Sequence, residues 1–172
     1  CGGCQWQQVK YEKQLECKSN ELKAALKKAG LEHTAETVSP IIQSEKQLGY
    51  RRTARFKVEN GGQNFGFYRA SSRDLINIDK CLLLDEKIND FIPKVDTKNP
   101  GLVGFDLFMN EAGEVQPFYR FSERDTGADF FQVNADVNKK MLGFISGIIR
   151  KHAEAAGRKL RLLDLYCGDG NL

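Results

Sequence analysis

One turn restricts the fold more than any other feature of the chain. Glu59-Asn60-Gly61-Gly62 stands between two segments of alternating polarity, "GYRRTARFKV" before it and "NFGFYR" after it. Asn-Gly readily takes up the positive φ of a tight reversal, so the flanking segments are expected to pair as an antiparallel hairpin. The first strand is read over Gly49–Val58 and its partner over Asn64–Arg69. A second hairpin is expected around Asn110-Glu111-Ala112-Gly113, joining Leu102–Met109 to Val115–Phe121. Between the hairpins lie a short strand around Ile76–Ile78 and a helix from about Leu83 to Phe91, which Pro93 prevents from continuing. Residues 94–101 contain Pro and Gly and read as a loop.

Helical periodicity brackets this sheet. Residues 9–29 carry Tyr11, Leu15, Leu22 and Leu26 on one stripe among Lys and Glu, with Gly30 as a stop. That is the pattern of a surface helix packed on one face. Asn134 can cap a long helix whose Val137, Met141, Phe144, Ile145, Ile148 and Ile149 share a broad face, ending near Gly157. "LRLLDLY", residues 160–166, is almost continuously apolar, as in a parallel strand buried on both sides. The fold class is therefore α+β: an antiparallel-sheet central domain with packed helices, then the first helix and strand of a Rossmann-like α/β domain. The division is placed at 1–132 and 133–172, and the second part has no room to be finished.

Charge and cysteine content limit the function classes. With 26 Lys and Arg against 23 Asp and Glu, the net charge of +3 is too small to demand a polyanionic partner. Arg51, Arg52, Arg55 and Lys57 nevertheless fall within seven residues, either a solvated strand face or a nucleic-acid contact. The five cysteines, at 1, 4, 17, 81 and 167, are an odd number without an export signal, so a reducing, cytoplasmic compartment is expected. No apolar run approaches the ~20 residues of a membrane span.

Three segments carry candidate chemistry. Cys1-Gly-Gly-Cys4 offers two soft donors on a flexible loop, compatible with zinc, an iron–sulfur cluster or a redox dithiol. Cys81, read as lying just before a helix whose dipole favours a thiolate, makes a third ligand where tetrahedral sites and cubane clusters use four. Cys17 and Cys167 read as passive thiols. In "DFFQVN", Phe130 and Gln132 are two residues apart on one strand face, placed either for core packing or to stack on and hydrogen-bond a base. The closing "LDLYCGDG" runs from a strand into a loop where Gly168 and Gly170 permit close backbone approach. It is either a tight strand-to-helix turn or an S-adenosylmethionine loop; it lacks the Gly-Lys-Ser/Thr of a triphosphate site. His33 and His152 receive no role.

Taken in order, "CGGCQWQ", "YEKQL", "YRRTARF", "INIDKC", "DFFQVNADVNKKM" and "LDLYCGDGN" resemble the bacterial RNA 5-methyluridine methyltransferases of the iron–sulfur type that act on 23S ribosomal RNA. The likeness covers almost the whole chain. It implies transfer of a methyl group from S-adenosylmethionine to C5 of a uridine, with RNA as partner, no membrane and no obligate protein partner. It implies a 4Fe–4S cluster with ligands at Cys1, Cys4 and Cys81 and a fourth cysteine before Cys1, so the cluster is expected to be absent or incomplete in this chain. Phe130 would stack on the flipped uracil and Gln132 would read its edge. Asp164, Tyr166, Cys167, Gly168 and Gly170 would line the cofactor pocket, with Gln132 also bordering it. Arg55 would reach RNA, with Arg51 and Arg52 as backbone contacts. The family's attacking cysteine and its base lie downstream of the glycine loop, so no catalytic residue is expected here and the chain reads as an internal, inactive piece. The alternatives are a relative acting on transfer RNA, or a non-catalytic RNA-binding or iron–sulfur module derived from such an enzyme.

Overall fold

A computed structural model describes residues 1–125, 132–157 and 160–165. Two helices, α1 (Tyr11–Lys28) and the short α2 (Glu32–Glu36), precede strands β1 (Thr53–Glu59), β2 (Asn64–Tyr68) and β3 (Leu75–Asn77). Helix α3 (Glu86–Phe91), strands β4 (Gly104–Met109) and β5 (Val115–Arg120) and the long helix α4 (Ala135–Ala156) complete the order. The five strands form one sheet in the order β3-β2-β1-β4-β5, and every neighbouring pair is antiparallel. Both expected hairpins are present, β1–β2 and β4–β5.

Alternation in β1 decides which side of the sheet is the core. Ala54, Phe56 and Val58 are buried, while Arg55 and Lys57 project to the other face. Phe56 stacks between Phe67 and Phe105, with ring centroids 4.8 and 4.7 Å away. Such ring pairs add ~0.5–1.5 kcal/mol each beyond their burial. Leu84, Ile88 and Ile92 join this cluster, so α3 and the turn after it cover the apolar face. Asp85 starts α3 by accepting the amide of Lys87 at 3.0 Å, and Pro93 sits in the single 3-10 turn that follows. Gly62 has a φ of +89° and lies so close to the Thr97 carbonyl that a Cβ would collide with it. Thr97 in turn donates its hydroxyl to the Gly62 carbonyl at 2.8 Å, clamping the 94–101 loop onto the hairpin turn.

Several expectations need correction. The first strand begins at Thr53, because Gly49 and Arg51 donate instead to Leu82 and Leu83, at 2.9 and 2.8 Å. Helix α3 begins at Glu86, and Cys81 lies in the preceding turn rather than at a helix N-terminus. Residues 160–164 form no strand, and Leu162, Leu163 and Leu165 are 66%, 78% and 69% exposed. A parallel strand needs hydrogen-bonding neighbours and covering helices; none is present for this segment among the described residues, so no Rossmann-like unit is seen.

Helix α4 has the expected start and stop: Asn134 accepts the amide of Val137 at 3.0 Å, and Gly157 closes the helix in a left-handed conformation. None of its residues is fully buried, and Phe144 on its apolar face is 61% exposed. Helix α1 likewise contributes no buried residue, against the expected packing of one face.

Candidate functional site

The basic run is held by a buried ion-pair network. Asp106, in the middle of β4, accepts from Arg120 Nε at 3.1 Å and from Arg55 Nε at 3.2 Å. Arg120 and Asp106 are each only 3% exposed at the side chain, whereas Arg55 is 54% exposed. Arg120 also donates to the Phe56 carbonyl at 2.7 Å. Gly104 makes this possible, because a Cβ there would occupy the space of the Arg120 guanidinium. Asp106 thus joins a buried guanidinium, that of Arg120, to the half-exposed one of Arg55. The register Arg55↔Asp106↔Phe118 sets Phe118, 46% exposed, on the same sheet face. A cation and an exposed ring on one rigid face can engage a phosphate and a base.

Arg51 and Arg52 belong to a different element. Arg51 exchanges backbone hydrogen bonds with Leu83 and Asp85, and Arg52 donates its amide to Val133 at 3.3 Å. Arg52 also hydrogen-bonds the Asn110 carbonyl through its guanidinium. The Nε atoms of both arginines are buried without a hydrogen-bond partner among the described residues. The segment 49–52 thus joins the turn before α3 to the start of α4, where Gln132 is exposed.

The cysteines are placed one by one. Gly2 packs so tightly on Ala70 that a Cβ would overlap that side chain, which seats the Cys1–Cys4 loop against the chain beyond β2. Cys81 is fixed by buried Asn89, which accepts its amide at 2.9 Å and donates to its carbonyl at 3.1 Å. Cys1 is exposed, while Cys4, Cys17 and Cys81 are partly buried. Thiols suit a soft metal, but among the described residues no three His, Cys, Asp or Glu side chains are grouped to hold one. Cys1, Cys4 and Cys81 as placed therefore do not make a ready cluster site.

Next to Cys4 a groove of about 910 Å³ opens between residues 3–18, residues 41–50 and Leu82–Leu83. Its floor is tied together by Ser44, whose amide donates to the Tyr11 hydroxyl and whose hydroxyl accepts from Asn134, both at 2.9 Å.

No family model matches the chain. Among curated proteins, an uncharacterized RNA methyltransferase of Synechocystis is 35% identical over 111 residues, covering 62% of this chain and 24% of that protein. Another, of Bdellovibrio bacteriovorus, is 29% identical over 178 residues, covering 99% of this chain and 42% of its own. The 23S rRNA (uracil(1939)-C(5))-methyltransferase RlmD of Photobacterium profundum is 27% identical across 99% of this chain and 50% of its own length. The chain is a homologue of RNA methyltransferases. It spans between 24% and 50% of the length of these three relatives.

The residues expected from the sequence to meet base and cofactor are Phe130, Gln132, Asp164, Tyr166, Cys167, Gly168 and Gly170. Of these, Phe130, Tyr166, Cys167, Gly168 and Gly170 lie outside the described residues. Gln132 is exposed and Asp164 partly buried in an irregular segment. The described structure assembles Arg55 with Asp106 and Arg120, of which only Arg55 was expected. A lone Asp inside the apolar strand "GFDLFM" was the available signal for the other two, since a carboxylate is buried only when paired. No helix among the described residues is long and apolar enough to cross a membrane.

Proposed function

We propose that the chain is the central region of an S-adenosylmethionine-dependent enzyme that methylates C5 of a uridine in 23S ribosomal RNA. The observation that carries this reading is the similarity to RlmD across 99% of the chain. The Arg55–Asp106–Arg120 network supports it, because it presents a fixed, solvent-facing cation without spending a mobile side chain on orientation. In this reading Arg55 pairs with RNA, with Arg51 and Arg52 as contacts to its backbone. Phe130 stacks on the extruded uracil and Gln132 reads its edge. Asp164, Tyr166, Cys167, Gly168 and Gly170, with Gln132, line the pocket of the methyl donor, which supplies an electrophilic methyl group when bound. The thiolate that adds to C6 of the uracil and the base that later removes the C5 proton come from sequence beyond these 172 residues.

Cys1, Cys4 and Cys81 would give three ligands of a 4Fe–4S cluster, with a fourth from outside the chain. No catalytic step depends on it here. Since the thiols are not grouped as they stand, the cluster would have to draw them together.

The test is methyl transfer. A longer protein containing this sequence, incubated with radiolabelled S-adenosylmethionine and a mixture of unmodified 23S ribosomal RNA and transfer RNA, should yield 5-methyluridine on nuclease digestion of the ribosomal RNA. The 172-residue chain alone should yield none. Label found only in transfer RNA, or in a base other than uracil, would refute the assignment.

A further inference from the structure

The groove beside Cys4 is lined by aromatic and basic side chains together. Trp6, Tyr11 and Tyr50 line it together with Lys10, Lys18 and Lys46. No Asp or Glu is among its lining residues, although the chain carries 23 of them and a net charge of only +3. The three lysines are exposed, while the three aromatic residues are partly buried, so the rings form walls and the ammonium groups form a rim. Gln7 and Gln47 are also among the lining residues of the groove.

The walls are fixed before any ligand arrives. Gln14, on the second turn of α1, donates to the carbonyls of Trp6 and Val9 at 3.0 and 2.8 Å, which holds the Trp6 turn against the helix. Tyr11 is pinned through its hydroxyl by the Ser44 amide. The far end reaches Asn134 and Val137, two and five residues beyond Gln132.

We propose that this groove binds a single-stranded stretch of RNA next to the target nucleotide, with bases against Trp6, Tyr11 and Tyr50 and phosphates paired to Lys10, Lys18 and Lys46. Cationic rim plus aromatic wall is the arrangement that holds unpaired strands without reading their sequence. Protein interfaces are instead depleted in lysine, and a duplex keeps its bases stacked away from side chains. The proposal rests on the RNA-methyltransferase reading and adds to it a second contact region, away from the Arg55 sheet face.

Trp6 is the only tryptophan in the chain, so its emission reports on the groove alone. The 172-residue chain is titrated with a fluorescein-labelled oligouridine of about ten nucleotides at several salt concentrations, following tryptophan emission and RNA anisotropy together. The expected result is quenching of Trp6 with the same midpoint as the anisotropy change. Replacing Lys10, Lys18 and Lys46 by Ala, all on exposed sites, should flatten the plot of log K against log salt by about 2, at ~0.7 per lysine on a single strand. Trp6→Ala should weaken binding about 5- to 150-fold, as for one stacked base, with circular dichroism confirming the fold. RNA binding that leaves Trp6 emission unchanged and ignores both variants would overturn the groove while leaving the methyltransferase reading intact. Absence of any RNA binding by the chain would overturn it too, whereas the parent reading fails only if the longer wild-type protein does not methylate ribosomal RNA.

Discussion

Replacing Asp106 by Ala should damage the fold far more than replacing Arg55, although both belong to one network. Asp106 and Arg120 are each 3% exposed at the side chain. Removing the carboxylate strands the Arg120 guanidinium in the sheet with the Phe56 carbonyl as a remaining partner. Breaking a buried pair from one side costs ~3–5 kcal/mol, and the surviving hydrogen bond argues for the lower end, about 3 kcal/mol. Arg55, at 54% exposure, belongs with surface pairs worth ~0–1 kcal/mol. Urea denaturation followed by circular dichroism at pH 7 measures both variants. Asp106→Ala should lower the midpoint substantially, since about 3 kcal/mol is a large part of the ~5–15 kcal/mol that holds a domain folded. The double variant Asp106→Leu/Arg120→Met should recover most of the loss, because an apolar pair of similar volume avoids burying any charge. A cost under about 1 kcal/mol for Asp106→Ala, or no recovery in the double variant, would refute the reading of Asp106 and Arg120 as a buried pair with Arg55 as an exposed member of the network.

Other outcomes follow from single contacts. Asn89→Ala should cost ~1–3 kcal/mol by leaving the Cys81 and Leu84 backbone groups unpaired, and should speed alkylation of Cys81, measured by mass spectrometry of the labelled peptide. Asn134→Ala should cost about 1 kcal/mol in helix stability, seen as reduced helical ellipticity and a lower denaturation midpoint. The Lys57 ammonium, hydrogen-bonded to Glu123, holds that carboxyl below its ordinary 4.5. This small contribution is present above the unfolded-state value and lost as pH falls through the lowered folded one, so Glu123→Gln should flatten the acid side of the stability profile; an unchanged profile would contradict the contact. The 172-residue chain purified in air should be colourless, with zinc as the competing occupant of its thiols; about four irons per chain in elemental analysis would contradict this.

What could be read from the sequence was local. Asn60-Gly61 announced a hairpin because the turn chemistry sits within a few residues of its effect, and Asn134 and Gly157 bracketed α4 for the same reason. Asp106 and Arg120 escaped notice because their pairing joins residues 14 apart, and periodicity in either strand says nothing about which charge faces which. Read from the sequence, the helix near Cys81 starts three residues early, at Leu83: Asp85 caps a helix that begins at Glu86, so Cys81 lies in the turn before it. The segment 160–165 shows the opposite failure. Its composition encodes a strand buried on both faces, yet burial depends on neighbours, none of which pairs with it among the described residues, so Leu163 stays 78% exposed. Arg55 could be singled out because it stands in a local basic run, whereas the side chains lining the groove around Trp6 come from separate segments and no one of them announces it.

The central claim is methylation at C5 of uracil, and the fate of the C5 hydrogen tests it most directly. The substrate is 23S ribosomal RNA transcribed with uridine tritiated at C5, offered to a longer protein containing this sequence together with S-adenosylmethionine. Attack of a methyl group at C5 must expel the hydrogen already there, so tritium should appear in water one for one with methyl groups incorporated, and only when the methyl donor is present. Methyl incorporation with no tritium release would place the modification on oxygen, nitrogen or another base and contradict the claim.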